Sequence, residues 1–145
     1  MLPDFNSVGD LPLGVYRVTL EEAVFRFGDA HPQRQEMTRR LSRIYRLAQE
    51  TGAVQHLLLF GSYVTEKAAP SDIDIVLIMQ DNFRVGACSE ETKQLFDHEQ
   101  ADRELGASIF WIRPSLLILE TLNEFIAHWQ VKRDQTRRGI VEVAI

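Results

Sequence analysis

The chain has 145 residues, of which 45% are hydrophobic and 26% are charged. This length allows one domain with a substantial core, and this composition excludes a disordered or low-complexity protein. The net charge of −5 excludes a general attraction to a polynucleotide backbone, so any contact with nucleic acid has to be local. We therefore expect one domain over residues 1–145.

The N-terminus and the cysteine content bear on the compartment. The first four residues contain no basic segment and no apolar core of signal-peptide length, and no apolar run in the chain approaches the ~18 residues of a membrane span. Cys88 is the only cysteine, so no internal disulfide can form. We expect a cytoplasmic protein without a membrane segment, in which Cys88 has no chemical role.

The first third of the chain is predicted to form an arm and two helices. Residues 1–18 are rich in proline and glycine, which favours an extended arm over the domain rather than a regular element. The run Thr-Leu-Glu-Glu at 19–22 matches a helix capping box, and Gly28 ends the short helix that it begins. Pro32 begins a longer helix that Gly52 ends. The apolar face of this helix consists of residues at helical spacing: Met37, Leu41, Ile44, Tyr45 and Ala48.

The remainder is predicted to alternate strands and helices. Two short apolar runs, 57–60 and 73–78, indicate buried strands, and a polar loop over 80–87 follows them. Ser89 is expected to cap a helix that runs to about Arg103, and residues 107–112 form a third strand. A last long helix is expected to be extensively buried through its apolar face: Leu116, Leu119, Leu122, Phe125, Ile126 and Trp129.

The tail over 137–143 indicates a loop and a final short strand. This order of elements predicts an α/β (α+β) domain, in which helices cover a small mixed sheet of about four strands.

Two acidic residues begin the second predicted strand. Asp72 and Asp74 are two residues apart, so their side chains project from the same face, roughly 6.5 to 7 Å apart along the strand. Uncompensated charges in an apolar strand are costly, which favours a cation between them. Mg²⁺ binds one or two carboxylates together with water and phosphate oxygens. The pair therefore indicates a divalent-metal site.

A glycine and a serine follow the first predicted strand. Gly61 and Ser62 form a flexible turn whose backbone N–H groups can face a phosphate. Alone, such a turn is an ordinary loop, and Ser-Asp before a strand is often a turn cap. The combination of the turn with the acid pair, each adjoining an apolar strand, is a much stronger signal.

Phe60-Gly61-Ser62, the spacer 63–71 and Asp72-Ile73-Asp74-Ile75 resemble the signature of the nucleotidyltransferase superfamily, the polymerase-beta-like fold. With Leu-Pro-x-Gly-Val at 11–15 and Arg-Gly-Ile-Val at 138–141, the chain also resembles an uncharacterised prokaryotic family of small nucleotidyltransferase-like proteins.

The resemblance implies transfer of a nucleoside monophosphate from an NTP to a hydroxyl, with Mg²⁺ or Mn²⁺. Asp72 and Asp74 would be the catalytic metal ligands, and Gly61 and Ser62 would hold the β- and γ-phosphates. Lys67 would neutralise the triphosphate, although a solvated loop lysine is the commoner explanation.

One expected residue of the superfamily site is missing. The resemblance implies a third carboxylate on the next central strand, where this chain has Ser108. Glu104 could substitute only through a bulge, because it lies ~13 Å away along an extended strand. A catalytically impaired nucleotide-binding or partner-binding module therefore stays open beside the enzyme, as does a structural domain with a fortuitous acid pair. The acceptor (protein, RNA or small molecule) and a protein partner or homo-oligomer also stay open.

Two basic clusters are the candidates for a local contact with nucleic acid. The first is Arg39, Arg40, Arg43 and Arg46, for which a solvated helix face is the favoured interpretation. The second is Lys132, Arg133, Arg137 and Arg138. Trp111 and Trp129 are expected to pack in the core.

Overall fold

A computed structural model describes residues 2–28 and 31–145, and within them five strands form one mixed sheet. The strands are β1 (Val15–Val18), β2 (Val54–Phe60), β3 (Ile73–Met79), β4 (Ala107–Ile112) and β5 (Ile140–Val143). Their order across the sheet is β1-β5-β2-β3-β4. The pairs β1–β5 and β3–β4 are parallel, whereas β2 is antiparallel to both β3 and β5. The predicted class, a mixed sheet with helices, is confirmed.

The helices are α1 (Leu20–Phe27), α2 (Pro32–Thr51), α3 (Glu90–Lys93), α4 (His98–Gln100) and α5 (Leu122–His128). Helix α1 begins with the predicted capping box, in which Thr19 and Glu22 exchange side-chain and backbone hydrogen bonds. Helix α2 ends at Gly52, as predicted, and this glycine has the left-handed conformation. None of the helices in the described part of the chain is long and apolar enough to cross a membrane.

The alternation of side chains along the strands divides the core into two parts. One face of the sheet, with Leu57, Leu59, Ile75 and Leu77, packs against α1 and α2 in the main core. The opposite face forms a smaller cluster beneath α5: Leu58, Val76, Ile78 and Ile140, with Phe60, Ile112, Leu122, Phe125, Ile126 and Trp129 against them. Asp74 has the same alternation as Val76 and Ile78, so it lies on the α5 face.

The N-terminal arm contains a strand that was not predicted. Strand β1 pairs with β5 over four residues, from Val15 opposite Ile140 to Val18 opposite Val143. The expectation of no regular element over residues 1–18 is therefore wrong for β1, and the sheet has five strands rather than about four. Four residues are too few to show a period in sequence, and their pairing partner lies at the other end of the chain. Met1 lies outside the described residues.

The predicted helix over 89–103 is not continuous. Ser89 caps α3 as expected, but a 3₁₀ turn at Gln94–Phe96 follows it, and a π-helical turn at Ala101–Leu105 comes after α4. Asp97 interrupts the helix with φ −121° and ψ 109°, and its carboxylate caps α4 by accepting from the Gln100 N–H. The Phe96 carbonyl leaves the helical pattern to accept from the Trp111 indole N–H at 3.2 Å. Tertiary contacts therefore override the helical period.

The last helix is shorter than predicted. A capping box between Thr121 and Glu124 fixes its start at Leu122. The preceding leucine-rich segment forms a 3₁₀ turn and then an irregular stretch in which Leu116, Ile118 and Leu119 are 61%, 89% and 97% exposed. The expected burial of Leu116 and Leu119 is wrong, because the seven residues of α5, with Trp129, cover the small second face by themselves.

Candidate active site

Two of the predicted site residues, Asp74 and Ser108, lie in one row that crosses three strands. Asp74 of β3 lies opposite Phe60 at the end of β2 and opposite Ser108 near the start of β4. Residues paired in this way project from the same face, and neighbouring strands are ~4.8 Å apart. Ser108 therefore lies beside Asp74, where the third carboxylate was expected. The register of β3 and β4 therefore agrees with the alignment that the resemblance implied.

A cleft of about 710 Å³ opens over this row, a volume in the ~300–1,000 Å³ range of small-molecule sites. Helix α5 packs on the apolar residues further along the same face and leaves the Asp74 end open. The cleft combines two acids, four cations, hydroxyls and aromatic rings: Phe60, Gly61, Ser62, Lys67, Ser71, Asp72, Asp74, Ser108, Phe110, His128, Trp129, Val131, Lys132, Arg133 and Arg138.

The two acids differ in their surroundings. Asp72 is exposed just before β3, whereas Asp74 is partly buried. Burial and, to a smaller extent, the charge of Asp72 raise the pKa of Asp74 to about 6, against a weaker opposing effect of Arg138 and Arg133. Neither carboxylate forms a hydrogen bond or an ion pair with the described residues. Asp74 is thus a carboxylate whose negative charge is only weakly compensated.

Gly61 brings the turn into contact with Asp74. Its φ of +77° and ψ of −163° are almost restricted to glycine. A Cβ at this position would overlap the Asp74 carboxylate. The following residues form a 3₁₀ turn, Ser62–Val64. The N–H group of Ser62 begins this turn and has no acceptor inside it.

A buried arginine that was not predicted fixes the loop after this turn. Arg34 of α2 is 5% exposed. Its guanidinium donates to the carbonyls of Tyr63 at 2.8 Å, Thr65 at 2.6 Å and Lys67 at 3.1 Å, and burial lowers its pKa. In sequence Arg34 is one of several polar residues in the first turns of α2, and no signal distinguishes it.

The second basic cluster supplies three cations to the cleft, namely Lys132, Arg133 and Arg138. The carboxylate of Asp10, which is 5% exposed, binds Lys132 Nζ at 2.7 Å and Arg138 Nη1 at 3.3 Å. Arg133 forms no ion pair with the described residues. The N-terminal arm therefore positions part of the cleft wall, a role that the sequence did not indicate for Asp10.

The structure separates the two remaining predicted site residues. Lys67 lines the cleft and is exposed. Glu104 lies in the π-helical turn before β4, contacts Arg103 at 3.3 Å, and borders a different surface groove together with Arg39 and Arg43. Glu104 is thus not a substitute for the third carboxylate, because no bulge brings it onto the β4 face that bears Ser108.

The residues present fit a metal that a phosphate helps to hold. Across residues 2–28 and 31–145, no three His, Cys, Asp or Glu side chains form a group that could bind a metal ion. Mg²⁺ is usually held by one or two carboxylates together with phosphate oxygens and water. Asp72 and the weakly compensated Asp74, beside four cations, match that arrangement.

Comparison with known proteins gives one match. Searches among curated proteins and among solved structures find no significant similarity. A family model matches residues 3–144, which is almost the whole chain. The chain therefore belongs to DUF6932, a family of unknown function.

Proposed function

We propose that the protein binds a nucleoside triphosphate with Mg²⁺ or Mn²⁺ and transfers the nucleoside monophosphate to a hydroxyl acceptor. The observation that carries the proposal is the contact between the Gly61 turn and the weakly compensated Asp74, in a cleft lined by cations. An acid pair repels a polyphosphate, whereas the surrounding cations attract one. A divalent cation bound between the acids and the phosphates would remove the repulsion, so both sets of charges could contact one ligand.

In this proposal Asp72 and Asp74 hold the metal, which when bound neutralises phosphate charge and orients the reacting oxygens. The turn at Gly61 and Ser62 donates backbone N–H groups and a hydroxyl to the β- and γ-phosphates. Lys67 and Arg133 lie on the same cleft and add positive charge to the polyphosphate site.

The transfer forms a bond from the acceptor oxygen to the α-phosphorus and breaks the bond to the bridging oxygen, releasing pyrophosphate. The acceptor proton must leave as this bond forms. Ser108 is a poor base and lies where the superfamily resemblance implies a carboxylate, so the proton passes to water and the reaction is slow.

Ser108 also favours a second candidate function, in which the cleft binds nucleotide without transferring it. Its register opposite Asp74 puts a neutral hydroxyl at the position expected for a third metal ligand. Binding needs only the acid pair and the phosphate contacts, whereas transfer also needs proton removal.

Binding is tested by calorimetry of ATP in the presence of Mn²⁺. We expect Asp74→Asn to weaken binding by tenfold or more, which corresponds to about 1.4 kcal/mol. Glu104→Gln is the matched control, because it removes a carboxylate outside the cleft and should leave the affinity unchanged. Equal ATP binding by wild type and Asp74→Asn would contradict the proposal that Asp74 holds a metal ion.

Transfer is tested with α-labelled NTPs incubated with cell RNA and protein. The wild type should transfer little label, and Ser108→Asp should raise transfer because it adds a metal ligand and base beside Asp74. Strong wild-type transfer that Ser108→Ala leaves unchanged would mean that another group completes the site.

The acceptor class is open among protein, RNA and small molecule, and a partner protein or second copy is one source of a missing carboxylate. The single Cys88 suits a reducing cytoplasm, which we propose as the compartment.

A further inference from the structure

Two large apolar side chains are exposed in the cleft. Phe110 of β4 is 40% exposed, and Val131, which follows α5, is 38% exposed. Both line the cleft over Asp74. Phe110 has the same alternation as Ser108, so it projects from the same face, ~6.6 Å further along the strand. Apolar surface is therefore available about one pleat from the row that bears the acid.

Packing fixes the position of the Phe110 ring. Its centroid lies 5.1 Å from that of Trp129 and 4.9 Å from that of His98. Trp129 in turn lies 4.9 Å from Phe60, which ends β2 in the Asp74 row. The Trp129 indole N–H is buried and has no hydrogen-bond partner among the described residues, so packing alone holds this ring. Phe110 is thus an ordered, half-exposed ring with little conformational entropy to lose on binding.

The cleft therefore presents three kinds of surface to one ligand. Acids and a glycine turn lie at the Asp74 row, cations extend along Lys132 and Arg133, and apolar area lies at Phe110 and Val131. Inorganic polyphosphate would use the first two and leave the apolar surface in water. A planar apolar group joined to a polyphosphate would use all three, and a nucleobase is such a group.

We propose that Phe110 and Val131 form a nucleobase subsite that binds by stacking and apolar contact. The inference rests on the proposed function and specifies its substrate, since it requires a nucleoside triphosphate rather than inorganic polyphosphate. Every base has an aromatic face, so recognition by stacking tolerates all four bases. Purines cover more apolar surface than pyrimidines and bind more tightly.

The test measures dissociation constants for ATP, GTP, CTP, UTP and tripolyphosphate with Mn²⁺, by calorimetry. Because Phe110→Ala removes the stacking surface for the base, it should weaken ATP binding by roughly tenfold, which corresponds to about 1.4 kcal/mol. Its affinity for tripolyphosphate should not change, which also shows that the variant is folded. Phe110→Trp should retain ATP affinity, and Phe110→Leu should lie between. Phe25→Ala is the control, because Phe25 is 85% exposed on α1 and does not line the cleft.

Three outcomes would overturn the inference. If wild-type protein binds tripolyphosphate as tightly as ATP, or if Phe110→Ala binds ATP as tightly as wild type, no base subsite exists at Phe110, although the metal and phosphate site stands. If neither ATP nor tripolyphosphate binds with Mn²⁺, the proposed function fails and the base subsite fails with it.

Discussion

The arginine cluster of α2 and the basic cluster over 132–138 each contain four basic residues, but the acidic residues around them are arranged differently. On α2, Arg39 lies 2.8 Å from Glu36, and Arg46 lies 3.3 Å from Glu50 and 3.2 Å from Glu91. The cations of the cleft lie beside Asp72 and Asp74 but form no ion pair with either acid. Arg133 has no ion pair among the described residues. The difference is how much of the positive charge is already paired, because in the cleft Lys132 and Arg138 share the single carboxylate of Asp10.

Paired surface charges of the α2 kind contribute little to stability and attract few ligands. The cleft cations have a different arrangement, because the buried Asp10 orients Lys132 and Arg138 while leaving them 25% and 21% exposed. Arginine and lysine clusters in a sequence therefore indicate a binding surface only when the tertiary structure leaves part of their charge unpaired. Each of the following experiments changes one residue of the cleft and a matched residue of α2.

The largest expected difference is between two glycine substitutions. Gly61→Ala should abolish metal-dependent ATP binding and lower the free energy of unfolding by roughly 1–3 kcal/mol, because the methyl group displaces Asp74 and the backbone conformation is unfavourable for alanine. Gly52→Ala at the end of α2 also has positive φ but meets nothing within 4 Å, so it should cost ~1 kcal/mol and leave binding intact. Urea denaturation and calorimetry check both. Normal ATP binding by Gly61→Ala would contradict the site geometry.

A smaller difference is expected between two exposed arginines. Arg133→Ala should weaken tripolyphosphate binding by about tenfold, since a hydrogen bond to a charged group contributes ~1.5–3 kcal/mol. Arg39→Ala, which removes a paired arginine, should leave the affinity within about twofold. The same calorimetric titration measures both. Equal losses in the two variants would mean that phosphate is attracted by general charge and not by the cleft.

The smallest expected effect concerns stability and pH. The pKa of Asp74 is raised from 3.8 to about 6 in the folded protein, so the native state binds more protons than the unfolded state between these values and its stability falls as pH rises through them. Because Asp74 is partly exposed, solvent screening reduces the cost above pH 6 to about 1 kcal/mol. Asp74→Asn should remove this cost.

Metal-free Asp74→Asn should therefore be more stable than wild type at pH 8 and equally stable near pH 3.5, as measured by urea denaturation. Glu36→Gln on α2, which loses an ion pair, should give no gain at pH 8. Saturating Mn²⁺ and ATP should reverse the order at pH 8, because an affinity tighter by tenfold gives wild type about 1.4 kcal/mol more binding energy than the variant. If metal-free Asp74→Asn is no more stable than wild type at pH 8, the conclusion that the charge of Asp74 is only weakly compensated is wrong.

The sequence by itself determined the elements that local rules specify. Each of these signals spans only a few consecutive residues: the capping box at Thr19, the helix end at Gly52 and the apolar runs of β2, β3 and β4. The period of two along a strand put Asp74 and the apolar Val76 on one face. The alignment of Ser108 with Asp74 also followed from the sequence, through the superfamily resemblance.

Only the tertiary structure decided the features that join distant parts of the chain. Strand β1 exists because β5, 125 positions away, offers an edge for pairing. Asp10 positions two cations of the cleft because it binds Lys132 and Arg138 from the opposite end of the chain. Arg34 fixes the loop after Gly61 by donating to backbone carbonyls, and because every residue has a carbonyl, no side chain in the sequence marks this contact. The helical spacing of Leu116 and Leu119 was misleading because their burial also depends on tertiary contacts. A periodic pattern specifies a helix only where the fold provides an apolar surface to cover.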